Sequence, residues 1–226
     1  MPQKHMPLEL FSSILAALPM RGLNINLQGE GEPFLHPQFT EILALTVQHG
    51  QRPYTITNGT RLPVQLVQQY FPSIGISIDT LDPVLAEKIG RLNLPKVWRN
   101  LHALLDAGYP AAQITIHTVN FGQEINSLQA YLRSLGITRH IIQPLQGKED
   151  YRYRYANNPV WNITPKDTYS CRFVDEQRML FFNIDGVMMP CCFIKNAAHF
   201  TSREQILASL QQGVIPECCR GCRELY

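Results

Sequence analysis

The sequence predicts an α/β fold: an open, partial (β/α) barrel of parallel strands, then a small cysteine-rich domain built on a β-hairpin and a helix. Three observations carry this. From residue 24 to about 144, short apolar runs alternate with segments of helical periodicity. The strand-like runs are parted by helices, as parallel strands joined by right-handed crossovers must be. All six cysteines fall between Cys171 and Cys222.

The elements follow in order. Leu8 to Leu18 reads as a helix, so the chain opens on a helix rather than a strand. Asn24 to Gln28 is a strand leading into a Gly-rich turn. Pro37 to His49 carries Phe39, Ile42, Leu43 and Val47 at helical spacing. Pro53 to Thr57 is a strand stopped by Asn58-Gly59, a turn dipeptide. Pro63 to Tyr70 is a helix and Ile74 to Ile78 a buried strand. Asp82 caps a helix to Ile89, with Pro83 at its first position. Pro95 to Ala107 is a second helix in the same connection. Gln113 to Val119 alternates as a strand, Asn126 to Leu135 is a helix stopped by Gly136, and Arg139 to Gln143 is the fifth strand. A closed eight-stranded barrel needs more.

Residues 146–170 lack periodicity and read as a linker between a domain of residues 1–145 and one of residues 171–226. In the latter, Gln177 to Ile184 is a strand, Asp185-Gly186 a tight hairpin turn and Val187 to Pro190 the returning strand. Ser202 to Gln212 is an amphipathic helix.

Composition sets limits. The chain has 226 residues, 45% of them hydrophobic, enough for one sizeable core plus an appendage. Its net charge of +2 gives no strong field for nucleic acid or membrane. Arg152 and Arg154, interleaved with Tyr151, Tyr153 and Tyr155, have the makings of a nucleic-acid stack, but with no second basic patch a solvated edge is the preferred reading. No apolar run spans a bilayer and no secretory leader is visible, so the expected location is the cytoplasm. There, clustered cysteines are metal ligands more often than disulfides.

Ligands of parallel α/β folds bind at the C-terminal ends of strands. Here those ends are polar or Gly-rich while the strand bodies are apolar: Gly29 to Pro33, Thr57 to Gly59, Ser77 and Asp79, His117 to Asn120, then Gln143 and Pro144. Each has a plainer reading. Gly29 and Gly31 can serve a turn with positive φ, Asn58-Gly59 a turn, and Asp79 a helix cap. His36, His49 and His117 receive no chemical role.

In their order these segments resemble the radical SAM (S-adenosylmethionine) superfamily. Gly31-Glu32-Pro33 with Phe34-Leu35-His36-Pro37 is similar to its GGEP segment and the LLHP stretch that follows, with Glu30 in place of the first glycine. Thr57-Asn58-Gly59 resembles its TNG segment, and Ser77-Ile78-Asp79 its ribose-binding strand. The resemblance spans roughly residues 6–144 and implies a partial barrel of the radical SAM type, its first strand missing. It implies that Gly31, Glu32 and Pro33 meet the ammonium of SAM, which needs acceptors once desolvated, and that Ser77 and Asp79 bind the ribose hydroxyls. Asn58, Thr118 and Asn120 then line the pocket by position, and Gln143 reaches the adenine. The family's CxxxCxxC motif is not in the chain, since no cysteine precedes Cys171. The expectation is a chain that begins after the motif; the alternative is true loss, leaving a non-catalytic scaffold. A second [4Fe–4S] cluster is expected only if an upstream motif exists.

The tail resembles the first half of a SPASM domain or its shorter twitch relative. Phe182-Asn183-Ile184-Asp185-Gly186 with Pro190-Cys191-Cys192 is similar to its hairpin, and Ile215 to Cys219 to its closing segment. The resemblance implies Cys171, Cys191, Cys219 and Cys222 as ligands of one auxiliary [4Fe–4S] cluster, with Cys192 and Cys218 as neighbours. Four thiolates suit zinc equally, which keeps a zinc-binding α/β protein open. The implied function is reductive cleavage of SAM and hydrogen abstraction from a peptide or small molecule, with an electron donor such as a flavodoxin or ferredoxin as partner. As it stands, the polypeptide is expected not to cleave SAM.

Overall fold

The computed structural model describes residues 5–29, 31–148, 164–176, 179–194 and 196–226. Two compact units emerge: Pro7–Gln143, and Pro144–Tyr226 with Met1–Met6. Among the described residues no helix is long and apolar enough to cross a membrane.

The first unit alternates helices and strands: α1 (Leu8–Ala16), β1 (Asn24–Asn26), α2 (Phe39–Gln48), β2 (Arg52–Tyr54), β3 (Ile56–Thr57), α3 (Val64–Tyr70), β4 (Ile74–Ser77), α4 (Pro83–Lys88), α5 (Leu94–Asp106), β5 (Ile114–Asn120), α6 (Asn126–Ser134) and β6 (Arg139–Pro144). Strand β1 pairs in parallel with β2, and a four-stranded sheet runs in the order β3-β4-β5-β6, with β3-β4 and β4-β5 parallel. The α/β class and parallel pairing follow the expectation. Most elements are one to three residues shorter than their sequence patterns, at the ends, where hydrogen bonding fails first; α5 and β5 keep their length shifted by one residue, and β6 runs one residue longer.

One predicted strand is divided. Pro53 to Thr57 breaks at Thr55, so β2 pairs with β1 while β3 pairs with β4. The break is held from both sides. The buried Thr55 hydroxyl donates to the Leu27 carbonyl at 3.1 Å, and the Thr55 carbonyl accepts from Gly75 N–H at 2.8 Å.

The core explains the pattern. On β4 and β5, Ile74, Ile76, Ile114 and Ile116 are fully buried. Helix α5 turns Leu94, Val97, Leu101 and Leu104 into the same cluster. Burying side chains such as Leu101 and Leu104 contributes about 2 kcal/mol each. Asp82 caps α4 as expected, its Oδ1 accepting from Val84 N–H at 2.8 Å.

The second unit contains a short helix α7 (Arg172–Asp175), an antiparallel pair β7 (Phe181–Phe182) and β8 (Met188–Met189), and helix α8 (Arg203–Gln211) capped by Ser202. The hairpin is shorter than predicted, and Gln177 and Arg178 lie outside the described residues. Its turn is wider than two residues: Asn183 N–H donates to the Val187 carbonyl, and Asn183 Oδ1 accepts from the N–H groups of Asp185 and Val187. Ser170 and Tyr226 exchange two backbone hydrogen bonds, and Cys171 bridges Leu225. Of the predicted linker, residues 149–163, with the Tyr/Arg cluster, lie outside the described residues. Its described ends, 146–148 and 164–170, are hydrogen-bonded within this unit.

Candidate functional site

Glu32 joins the two turns that follow β1 and β3. It caps a 3-10 turn (Pro33–Leu35), and Phe34 anchors that turn in the core against Phe39 and Phe71. The Glu32 carboxylate crosses to the next strand end: Oε1 accepts from the Thr57 hydroxyl at 2.5 Å, and Oε2 from Asn58 N–H at 2.8 Å. Each carboxylate oxygen accepts about two hydrogen bonds, so capacity remains for a ligand cation. Asn58 turns its side chain into its own loop, where Oδ1 accepts from Thr60 N–H and hydroxyl. Gly59 holds φ +75°, and a Cβ there would stand 2.7 Å from Val97 Cγ1. Only glycine fits both demands. Gly29 and Gly31 differ from the turn reading: neither is at positive φ, and a Cβ on either meets nothing within 4 Å. Glu30 lies outside the described residues.

At the next strand ends the expected ligand residues are engaged in bonds of their own. Ser77 is partly exposed and stands in register with His117. The Asp79 side chain is fully buried, its Oδ2 accepting from Arg91 Nε at 2.6 Å and its Oδ1 from Val119 N–H at 2.7 Å. A carboxylate so enclosed fastens the end of β4 to β5. Thr118 is likewise buried, donating to the Ile78 carbonyl at 2.5 Å and bonded to His140 Nε2 at 2.8 Å. Its role is a latch between strands. Asn120 is exposed, with Oδ1 closing a turn on Gly122 N–H, and Gln143 is exposed on β6.

In the second unit Cys171, Cys191, Cys218, Cys219 and Cys222 are buried, and Cys192 is exposed. The thiols influence one another. Cys171 raises the pKa of Cys191 and Cys222, and Cys191 and Cys222 raise that of Cys219. Burial is the first cause for Cys171, Cys191 and Cys222, pushing Cys222 up to about 11. The Cys218 and Cys219 sulfurs are 3.9 Å apart and share a hydrogen bond that lowers the pKa of Cys218 to about 7 and raises that of Cys219. Among the described residues no three Cys, His, Asp or Glu side chains converge tightly enough to hold one metal ion. The buried donors of this unit are all sulfur, a chemistry that suits a thiolate-ligated iron–sulfur cluster or zinc alike. Gly221, in the Cys219-Arg220-Gly221-Cys222 loop, holds φ +70°, and a Cβ there would stand 2.6 Å from the Gly147 carbonyl oxygen.

Residues 1–135 match the Radical SAM superfamily. The chain belongs to that superfamily. Over 118 residues, 48% of its length, it is 30% identical to the S-adenosylmethionine-dependent nucleotide dehydratase of Pseudoalteromonas ulvae, of which the match covers 38%. The chain therefore spans well under half of that relative. Similar solved structures include TYW1 with a lysine–pyruvate adduct bound, at 18% identity and TM-score 0.36, over 50% of this chain and 38% of that one. Another is BtrN in complex with AdoMet and 2-DOIA, at 13% identity and TM-score 0.35, over 91% and 71%.

Within this radical SAM unit, sequence reasoning missed Arg91 and the histidines. His117 Nε2 lies 3.0 Å from the Tyr54 hydroxyl, and its Nδ1 is buried without a partner. Burial first, then the nearby His140 and Arg139, hold His117 down to about 4. A neutral folded imidazole binds fewer protons than the unfolded one between about pH 6.5 and 4. Stability is therefore complete above about 6.5 and falls with pH through that window. The loss is expected to be on the order of 2 kcal/mol after solvent screening. Denaturant midpoints at pH 7 and 4.5 for the parent and His117→Gln check it: the variant should show the smaller drop.

Proposed function

We propose that residues 7–143 are the SAM-binding part of a radical SAM enzyme, with the architecture of an open partial barrel, and that the C-terminal unit, resembling a SPASM or twitch domain, carries one auxiliary [4Fe–4S] cluster. The observation that carries the reading is the Glu32 carboxylate bonded to both Thr57 and Asn58. It unites the GEP and TNG motifs at one strand-end surface and leaves acceptor capacity for the SAM ammonium. The open space above Gly31 supports the same assignment. Ser77 is the hydroxyl available to the ribose. Asp79 and Thr118 hold the strand ends on which that surface is built.

In the family, the cluster held by the CxxxCxxC cysteines, which residues 1–226 do not include, would supply the electron for reductive cleavage of SAM. The chain's own residues orient SAM. For the auxiliary site, the resemblance of the hairpin and closing segment to a SPASM or twitch domain, beside an all-sulfur buried donor set, favours a cluster over zinc. The substrate class is a peptide or small molecule, and the electron donor a flavodoxin or ferredoxin.

Saturation-transfer NMR with SAM tests the first part. The parent is expected to transfer magnetisation to SAM, Glu32→Gln to lose at least about tenfold in affinity, and Lys96→Ala, on the exposed side of α5, to match the parent. No transfer in the parent, or equal transfer in Glu32→Gln, would sink the assignment. With dithionite the 226-residue chain should yield no 5′-deoxyadenosine, because no cysteine precedes Cys171.

A further inference from the structure

Lys148 lies in the stretch that the sequence reads as linker, yet its ammonium donates to the Phe193 carbonyl at 2.7 Å and the Cys218 carbonyl at 2.8 Å. Those carbonyls belong to the two loops that carry Cys191 and Cys219 to Cys222. Its neighbours grip the second loop as well. Gln146 Oε1 accepts from Arg223 N–H at 2.9 Å, Gln146 Nε2 donates to Glu224 Oε1 at 3.1 Å, and the Gly147 carbonyl fills the space a Cβ on Gly221 would need.

Among the described residues no carboxylate pairs with Lys148. Two of its three donors go to neutral carbonyls. A partly buried ammonium so placed is costly unless negative charge lies near it. The cysteines on the two loops it ties, Cys191 and Cys219 to Cys222, supply such charge once they bind metal as thiolates.

We propose that Lys148 is a positioning residue for the auxiliary cluster, tying the Cys191 loop to the Cys219–Cys222 loop and holding a fixed positive charge beside the thiolate cage. This rests on the cluster reading of the C-terminal unit. A fixed cation beside an anionic cluster stabilises its reduced form, the more negative of the two, and so raises its midpoint potential.

The test is a mediated redox titration, followed by EPR, of anaerobically reconstituted full chain carrying Lys148, Lys148→Arg, Lys148→Met or Lys148→Gln. The expected result is a cluster in all that fold, a midpoint near the parent's for Arg, and a clearly more negative one for Met and Gln. Circular dichroism monitors folding. Should Met not fold, Gln, whose amide keeps two N–H donors without the charge, is read in its place. If both neutral variants fail to fold while Arg folds with the parent's midpoint, the tie and the need for charge are supported. A parental midpoint in either neutral variant overturns the inference and leaves the cluster reading intact. A parent that takes up zinc but no iron or sulfide overturns both.

Discussion

Cys219→Ala, reconstituted anaerobically with iron and sulfide, is expected to lose the cluster the parent holds. Iron and inorganic sulfide should fall from about four of each per chain to near zero, and the broad visible absorption should vanish with them. The reason is the enclosure of the site. Cys219 is buried within a 3-10 turn (Glu217–Cys219), and Cys222 N–H donates to the Cys219 carbonyl at 3.1 Å, so backbone geometry fixes the pair's spacing. Water cannot easily replace a missing thiolate there.

The adjacent cysteines make this a test of assignment as well as of loss. Cys192 is exposed, and Cys192→Ala should leave the iron content unchanged. Cys218 is the sharper control, since it is buried with its sulfur 3.9 Å from that of Cys219. Cys218→Ala is expected to keep the cluster. A loss at Cys218 with retention at Cys219 would move the ligand by one residue. Full retention in Cys219→Ala and Cys222→Ala alike would remove the cluster from this unit.

What the sequence makes legible, and what it hides, follows from the range of the forces involved. The helices of the first unit are local: Asp82-Pro83 announces its own cap, and α5 carries its apolar stripe in its own spacing. The two turns that Glu32 joins are legible as short motifs; the bonds between them are not, since they cross 25 and 26 residues. The break at Thr55 was not, because it depends on Leu27 and Gly75 arriving from other strands. Asp79 shows the same limit in the site. A carboxylate at a strand end reads as a ligand group until Arg91, twelve residues on, encloses it. Lys148 looked like linker because its partners lie 45 and 70 residues away. Periodicity reports which face of an element is apolar; it is silent on which polar group a distant loop will bring.

Arg91→Met is expected to lower stability by about 3 kcal/mol. With the Asp79 side chain fully buried, removal of the guanidinium leaves a carboxylate supported by Val119 N–H alone. Arg91 is itself 29% exposed, which holds the cost at the low end of the range for broken buried pairs. In a domain of this size that loss moves a thermal midpoint by roughly 6–12 °C. The same position separates two roles. If Asp79 serves the strand ends, Asp79→Asn lowers the midpoint as well, and SAM affinity falls only as the unit loosens. If its carboxylate instead reaches the ribose, Asp79→Asn loses SAM while melting like the parent. Calorimetry and SAM titration of Arg91→Met, Asp79→Asn and the double variant decide between them. Coupling well above about 0.5 kcal/mol between the two substitutions is the signature of the buried pair. Additive losses would return Asp79 to the ligand surface.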